Sequence, residues 1–189
     1  VSSTLYNAVI HAELEVTSRQ PHSMVVNYVK PSRDAAIAGD YKDLKFRNNT
    51  EYPIYIEGYV SGGEVCFNIY GKETRAEGRK IEFVSETLST EDIVQKYVED
   101  PETEFGKTVK TSGGHKGVKA QLWKVVYENG TEVSREVFNK STYKPSTNKI
   151  KVGIKSEDGA AVAKLKEAIK TQDEAKITAV IAEVKGQQQ

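Results

Sequence analysis

The side chains of this sequence that could do chemistry are few and scattered. Cys66 is its one thiol, and the histidines are His11, His22 and His115. A thiolate forms at neutral pH beside a helix N-terminus or a cation. Cys66 instead alternates with Val65 and Phe67 in a predicted strand, so it reads as a structural thiol. His11 falls within a predicted helix, where a solvated or packed role suits it. His115 stands among glycines, and the three histidines with one cysteine make no zinc spacing. No metal or other cofactor is expected. Trp123, Tyr127 and Tyr143 could stack on sugar rings; they could equally cover a thin sheet. The Gly113, Gly114 and Gly117 cluster lacks the lysine pattern and strand–helix context of a phosphate cradle. Close backbone packing or positive φ is the simpler use of those glycines.

The elements that must position these groups begin with a helix. Ser2, Ser3 and Thr4 offer hydroxyls for its free amide groups, and Leu5, Ala8, Val9, Ala12 and Val16 recur at helical spacing. A helix capped at residue 1 has no preceding segment to aim it, which implies a piece of something larger. Pro21 breaks the connection that follows. Met24, Val26 and Tyr28 alternate with Val25, Asn27 and Val29, predicting a short strand, and Leu44 and Phe46 predict another. Ile54, Ile56 and Val60 face Val65, Phe67 and Ile69 across a hairpin closed by Ser61-Gly62-Gly63.

A charged linker over residues 72–79 follows. Extended segments are predicted over 81–87 and 94–98, with helix an alternative for 93–98 that Asp100-Pro101 would stop. Residues 118–127 and 133–138 flank Asn129-Gly130, a strong hairpin signal. Neither alternate set of residues 118–127 is cleanly apolar, which predicts a single-layer sheet wet on both sides. Ala161, Leu165, Ala168 and Ile169 then predict a helix. A second, carrying Ile177, Val180, Ile181 and Val184, is capped by Asp173, and residues 187–189 are expected to fray. The fold class is therefore an α+β N-terminal unit of one helix and a small antiparallel sheet, then an elongated all-β module of small single-layer sheets, then a helical tail. The boundaries fall at 1–71, a linker at 72–79, 80–154 and 155–189.

The 27 basic and 27 acidic side chains cancel, so no global field favours nucleic acid or an anionic membrane. No apolar run approaches the roughly 20 residues of a membrane span.

Two families are recognisable in the motifs. Residues 1–8 (VSSTLYNA), Pro21-His22-Ser23, Arg33-Asp34-Ala35, Phe46-Arg47-Asn48-Asn49-Thr50 and Pro53-Ile54-Tyr55-Ile56 resemble the C-terminal part of a VanW-type domain. Tyr97 to Pro101, Gly113-Gly114-His115-Lys116-Gly117, the run from Tyr127 to Glu136, Tyr143-Lys144-Pro145 and Gly153 resemble a five-glycine (G5) domain. The two commonly occur in this order in Gram-positive surface proteins.

The resemblance implies an extracytoplasmic protein of the cell envelope or cell surface. G5-type modules are linked to adhesion and to N-acetylglucosamine-containing glycans, so peptidoglycan or such glycans are the implied partners, with Trp123, Tyr127 and Tyr143 as the aromatic candidates. Some VanW-type domains resemble cysteine-dependent peptidoglycan transpeptidases. In that pattern a Gly-rich segment ending in Val-Cys-Gln or Ile-Cys-Gln comes directly before the residues matching Val1. His22 would be that cysteine's base and acid, Asp34 the orienter of His22, and Arg33 a carboxylate or oxyanion partner. The competing reading makes His22 a loop histidine and Arg33–Asp34 a local turn pair. For this chain in isolation, a peptidoglycan- or glycan-binding or spacer role is expected.

Overall fold

The computed structural model describes residues 1–111 and 113–186. Its elements, in chain order, are α1 (Ser2–His11), β1 (Glu15–Ser18), β2 (Lys45–Arg47), β3 (Tyr55–Ser61), β4 (Glu64–Tyr70), β5 (Arg79–Glu91), β6 (Val94–Glu104), β7 (Thr108–Lys110), β8 (Gly117–Glu128), β9 (Thr131–Tyr143), β10 (Thr147–Lys155), α2 (Gly159–Lys170) and α3 (Glu174–Gly186). One N-terminal helix with small antiparallel sheets, a series of small β-sheets and two C-terminal helices make up the fold class expected from the sequence. The expected fraying of residues 187–189 lies outside the described residues. The chain divides into two compact units: residues 1–91 with 117–144, and residues 92–116 with 145–189.

In the first unit α1 buries Ser3, Tyr6, Val9 and Ile10, a stripe displaced from the one expected. The helix stops at His11 because Glu13 takes positive φ (57°) and the chain turns into β1, which carries Val16. Val1 has no side-chain cap. The hydroxyls expected to cap the helix serve another purpose: Ser2 and Ser3 Oγ both donate to the Ala35 carbonyl, at 2.7 and 3.3 Å. They fasten the first turn of α1 to the loop holding Asp34. Residues 24–29 form no strand. Their alternation has no ladder partner, and Tyr28 is 60% exposed.

β3 and β4 pair through Gly62 and Gly63, whose φ of 59° and 81° make the expected tight turn. β8 is the centre of the sheet β5-β8-β9, and its hairpin to β9 closes through Asn129 and Gly130, both at positive φ. This strand is not wet on both sides. Ala120, Leu122, Val125 and Val126 are buried, and Leu122 joins Phe83, Tyr6, Ile10 and Ala35 in one apolar cluster. Glu13 adds a polar tie, receiving Arg79 at 2.9 Å and Lys124 at 2.7 Å. Burial alone would raise the Glu13 carboxyl; the hydrogen bonds from Arg79 and Lys124 hold it below its ordinary value.

In the second unit β10 lies between β6, which it meets in parallel, and antiparallel β7. Residues 94–98 are extended, and the strand continues through Pro101. Proline fits there because pairing becomes irregular between Gly153 and Lys155. Tyr97, Val152 and Ile154 pack with Leu165, Ala168, Ile169 and Ile177. The buried residues of α2 are the four expected from spacing, and Asp173 caps α3 by accepting from the amides of Ala175 and Lys176.

Candidate functional site

His22 and Asp34 meet in the first unit. Pro21 ends the run from β1 and leaves His22 in a loop, while residues 31–36 lie beside the first turn of α1. The Asp34 side chain is fully buried, which is unfavourable for a carboxylate unless every oxygen finds donors. Oδ1 accepts from Arg19 Nη2 at 2.8 Å and from Tyr143 Oη at 2.5 Å. Oδ2 accepts the His22 backbone N–H at 2.7 Å and lies 2.7 Å from His22 Nδ1. Arg19 Nε also donates to the Asp34 carbonyl, at 2.6 Å. Burial by itself pushes the Asp34 carboxyl up. Hydrogen bonds from Tyr143 and from the amide and ring of His22, with the charge of Arg19, more than reverse this, and it sits below its ordinary value.

An ionised carboxylate only accepts, so neutral His22 must carry its proton on Nδ1. Its Nε2 is left with a lone pair. Tyr28 Oη lies 3.4 Å from that nitrogen and 3.4 Å from Ser3 Oγ, and the Tyr28 ring meets the imidazole edge-on. The His22 side chain is 31% exposed, and the Tyr28 hydroxyl is the group at hydrogen-bond distance from Nε2. This is the orientation of a general base: one nitrogen fixed by a buried carboxylate, the other left with its lone pair. Ser3 is no activated nucleophile, because its hydroxyl donates to the Ala35 carbonyl and accepts the Ala35 N–H.

Arg33, adjacent to Asp34 in sequence, turns the other way. Its Nε donates to Asn7 Oδ1 at 2.8 Å and its Nη2 to His11 Nε2 at 3.1 Å. It lines an open hollow of about 730 Å³ with Val1, Thr4, Asn7, Tyr28 and Lys30. His11 is held by that bond and by its edge contact with Phe83. Burial, then the charge of Arg33, lowers its affinity for a proton. Cys66 is half-buried in β4, opposite Tyr59.

Of the aromatic candidates, Tyr143 is 2% exposed. Its ring has no free face for a sugar, and its hydroxyl belongs to Asp34; that expectation is corrected by burial. Trp123 and Tyr127 share a face of β8 and are half-buried. The Trp123 indole donates to Glu86 at 2.7 Å. Sequence reasoning missed Arg19 and Ser141, which are bonded to each other at 2.7 Å. The only signal in the chain was the alternation of Asn139, Ser141 and Tyr143, a polar set on one strand face.

The fold and the site thus define a two-part chain: an α+β segment carrying a histidine–carboxylate pair, then a β-sheet module. The family model described as VanW like protein matches residues 1–70, and the G5 domain model matches residues 83–155. The chain therefore carries a VanW-like region followed by a G5 domain. Over 73 residues it is 38% identical to YoaR of Bacillus subtilis (strain 168), an uncharacterized protein; the match covers 39% of this chain and 24% of YoaR. Two solved G5 domains are similar to parts of it. The G5 domain of an IgA1 protease is 26% identical, covering 41% of this chain and 94% of that one with a TM-score of 0.30. HP0197-G5 is 17% identical, covering 40% and 95% with a TM-score of 0.25.

Proposed function

We propose that this chain belongs to an extracytoplasmic, cell-wall-associated protein of the Gram-positive type, and that its VanW-like region supplies the acid–base pair of a cysteine-dependent acyl transfer on peptidoglycan peptides. The observation that carries the reading is His22 held at Nδ1 by buried Asp34 on a side chain that stays partly exposed. The reading takes its thiol from the VanW-type pattern, in which a segment ending in Val-Cys-Gln or Ile-Cys-Gln comes directly before the residues that Val1 matches. A thiolate there gains from the positive end of α1. His22 Nε2 takes the thiol proton, the thiolate attacks the donor peptide carbonyl, and Nε2 passes that proton to the departing amine as the C–N bond breaks, leaving a thioester. An acceptor amine then attacks, its proton goes to Nε2, and the thiolate leaves as the new amide forms. Arg33, which lines the adjoining hollow, is in this reading the partner of a donor carboxylate rather than of Asp34.

The test is cross-linked product formed by the full-length protein from peptidoglycan-derived donor and acceptor peptides. His22→Ala should lower the rate by roughly 10²–10⁴-fold; an unchanged rate overturns the reading.

For this chain alone, a wall-binding or spacer role is the second reading. It draws on Trp123 and Tyr127 sharing one face of β8, with peptidoglycan or N-acetylglucosamine-containing glycans as partners. Sedimentation with purified peptidoglycan tests it: wild type should be retained and Trp123→Ala should be retained less. Wild type free in the supernatant at low salt contradicts it.

A further inference from the structure

β9 lies in the G5-matched part of the chain, yet three of its residues reach into the VanW-like site. Asn139, Ser141 and Tyr143 alternate along the strand, so their side chains share one sheet face. Asn139 Nδ2 donates to Tyr6 Oη at 2.7 Å and to the Ser32 carbonyl at 3.2 Å. Ser141 Oγ accepts from Arg19 Nη1 at 2.7 Å and from Ser32 Oγ at 2.9 Å. Tyr143 Oη accepts the Ser32 amide at 2.7 Å, so its own proton is directed to Asp34 Oδ1. Ser32, fully buried at positive φ (67°), is gripped by all three. From β5, Ser85 Oγ donates to the Pro31 carbonyl at 2.6 Å.

We propose that Tyr143 and Ser141 are positioning residues for the His22–Asp34 pair, which makes the first G5 sheet a structural part of the acid–base site. Tyr143 acts directly on the carboxylate that holds His22, and Ser141 acts through Arg19. A spacer needs only an apolar seam with its neighbour, and Phe83 and Leu122 provide one. Polar groups delivered at alternate positions of one strand to a carboxylate, to its arginine partner and to the strained residue two places before it serve the carboxylate. The charged and titratable groups around the pair are Arg19 beyond β1, Tyr6 of α1, Tyr28 of the loop, Tyr143 of β9, and Lys42, which binds the Pro21 carbonyl at 2.9 Å.

The catalytic consequence rests on the proposed acyl transfer, and the experiment separates the two. Long-range proton–nitrogen spectra of the 189-residue chain, at a pH of about 9 where free imidazole is neutral, report which ring nitrogen of each histidine carries the proton. His22→Gln assigns the signal. Wild type should show His22 with the proton on Nδ1, and Tyr143→Phe should shift the population toward the Nε2-protonated form that free histidine favours. Ser141→Ala should do so more weakly, and it decides the matter if Tyr143→Phe does not fold. In the full-length protein, Tyr143→Phe should lower kcat roughly ten- to a hundredfold with KM within about twofold. Folded variants that keep the wild-type tautomer overturn the positioning claim, whatever their kcat. A tautomer shift in a protein that transfers no acyl group upholds positioning and removes the reaction.

Discussion

Asp34 shows how far a single residue's environment decides its use. Four donors meet a carboxylate with no exposed surface, and removing it leaves the Arg19 guanidinium, whose side chain is only 6% exposed, without its counter-charge. Asp34→Ala should cost about 3–5 kcal/mol of stability at neutral pH, measured by chemical denaturation. The folded carboxyl lies below its ordinary 3.8. Its ionisation therefore stabilises the fold above that ordinary value, and the contribution fades as pH falls through the lowered folded one. The gap between wild type and Asp34→Ala should accordingly narrow in acid; a constant gap would mean that the charge is not what stabilises. His22 and Asp34 were legible in the sequence because both fall in motifs of one family. Arg19 and Tyr143 were not, since Tyr143 is 109 residues from its partner and polar strand residues carry no mark of what they face. Arg33 stays apart from the pair despite its adjacency. Its neighbour turns inward, while its own guanidinium bonds Asn7 and His11.

At the scale of elements, the readings that held were those fixed locally. Asn129-Gly130 needs positive φ at both residues and takes it; Gly130→Ala, with open space but φ of 84°, should cost about 1 kcal/mol. Gly153 is constrained differently. A Cβ there would stand 2.0 Å from the Glu104 carbonyl oxygen, so backbone must move where β6 and β10 pair irregularly. Gly153→Ala should destabilise by more than Gly130→Ala in the same thermal melt, by about 1–3 kcal/mol. The readings that failed needed a partner to be known. Residues 24–29 alternate like a strand and find no neighbour, and β8 looked solvated because the helix covering Leu122 lies more than a hundred residues earlier. The stripe of α1 was misplaced because Ser3, a polar residue, sits on its buried face.

For the whole molecule, the family boundaries and the compact units do not coincide. The G5 match over residues 83–155 contributes β5, β8 and β9 to the first unit and β6, β7 and β10 to the second. The VanW-like region shares its core with Phe83 and Leu122. A chain cut to residues 1–78 should therefore lose the His22–Asp34 arrangement and show an unfolded-like dispersion of amide signals, where a self-sufficient VanW-like domain would keep a folded spectrum. The second unit has its own core about Leu165, which is fully buried, and Leu165→Ala should cost it about 2–5 kcal/mol.

The central claim is that His22 Nε2 moves the proton in an acyl transfer, and chemical rescue tests it most directly. Full-length His22→Ala should be nearly inactive in cross-linking peptidoglycan peptides, and added imidazole should restore activity in proportion to its concentration as the free base. A His22→Ala protein as active as wild type without imidazole would contradict it.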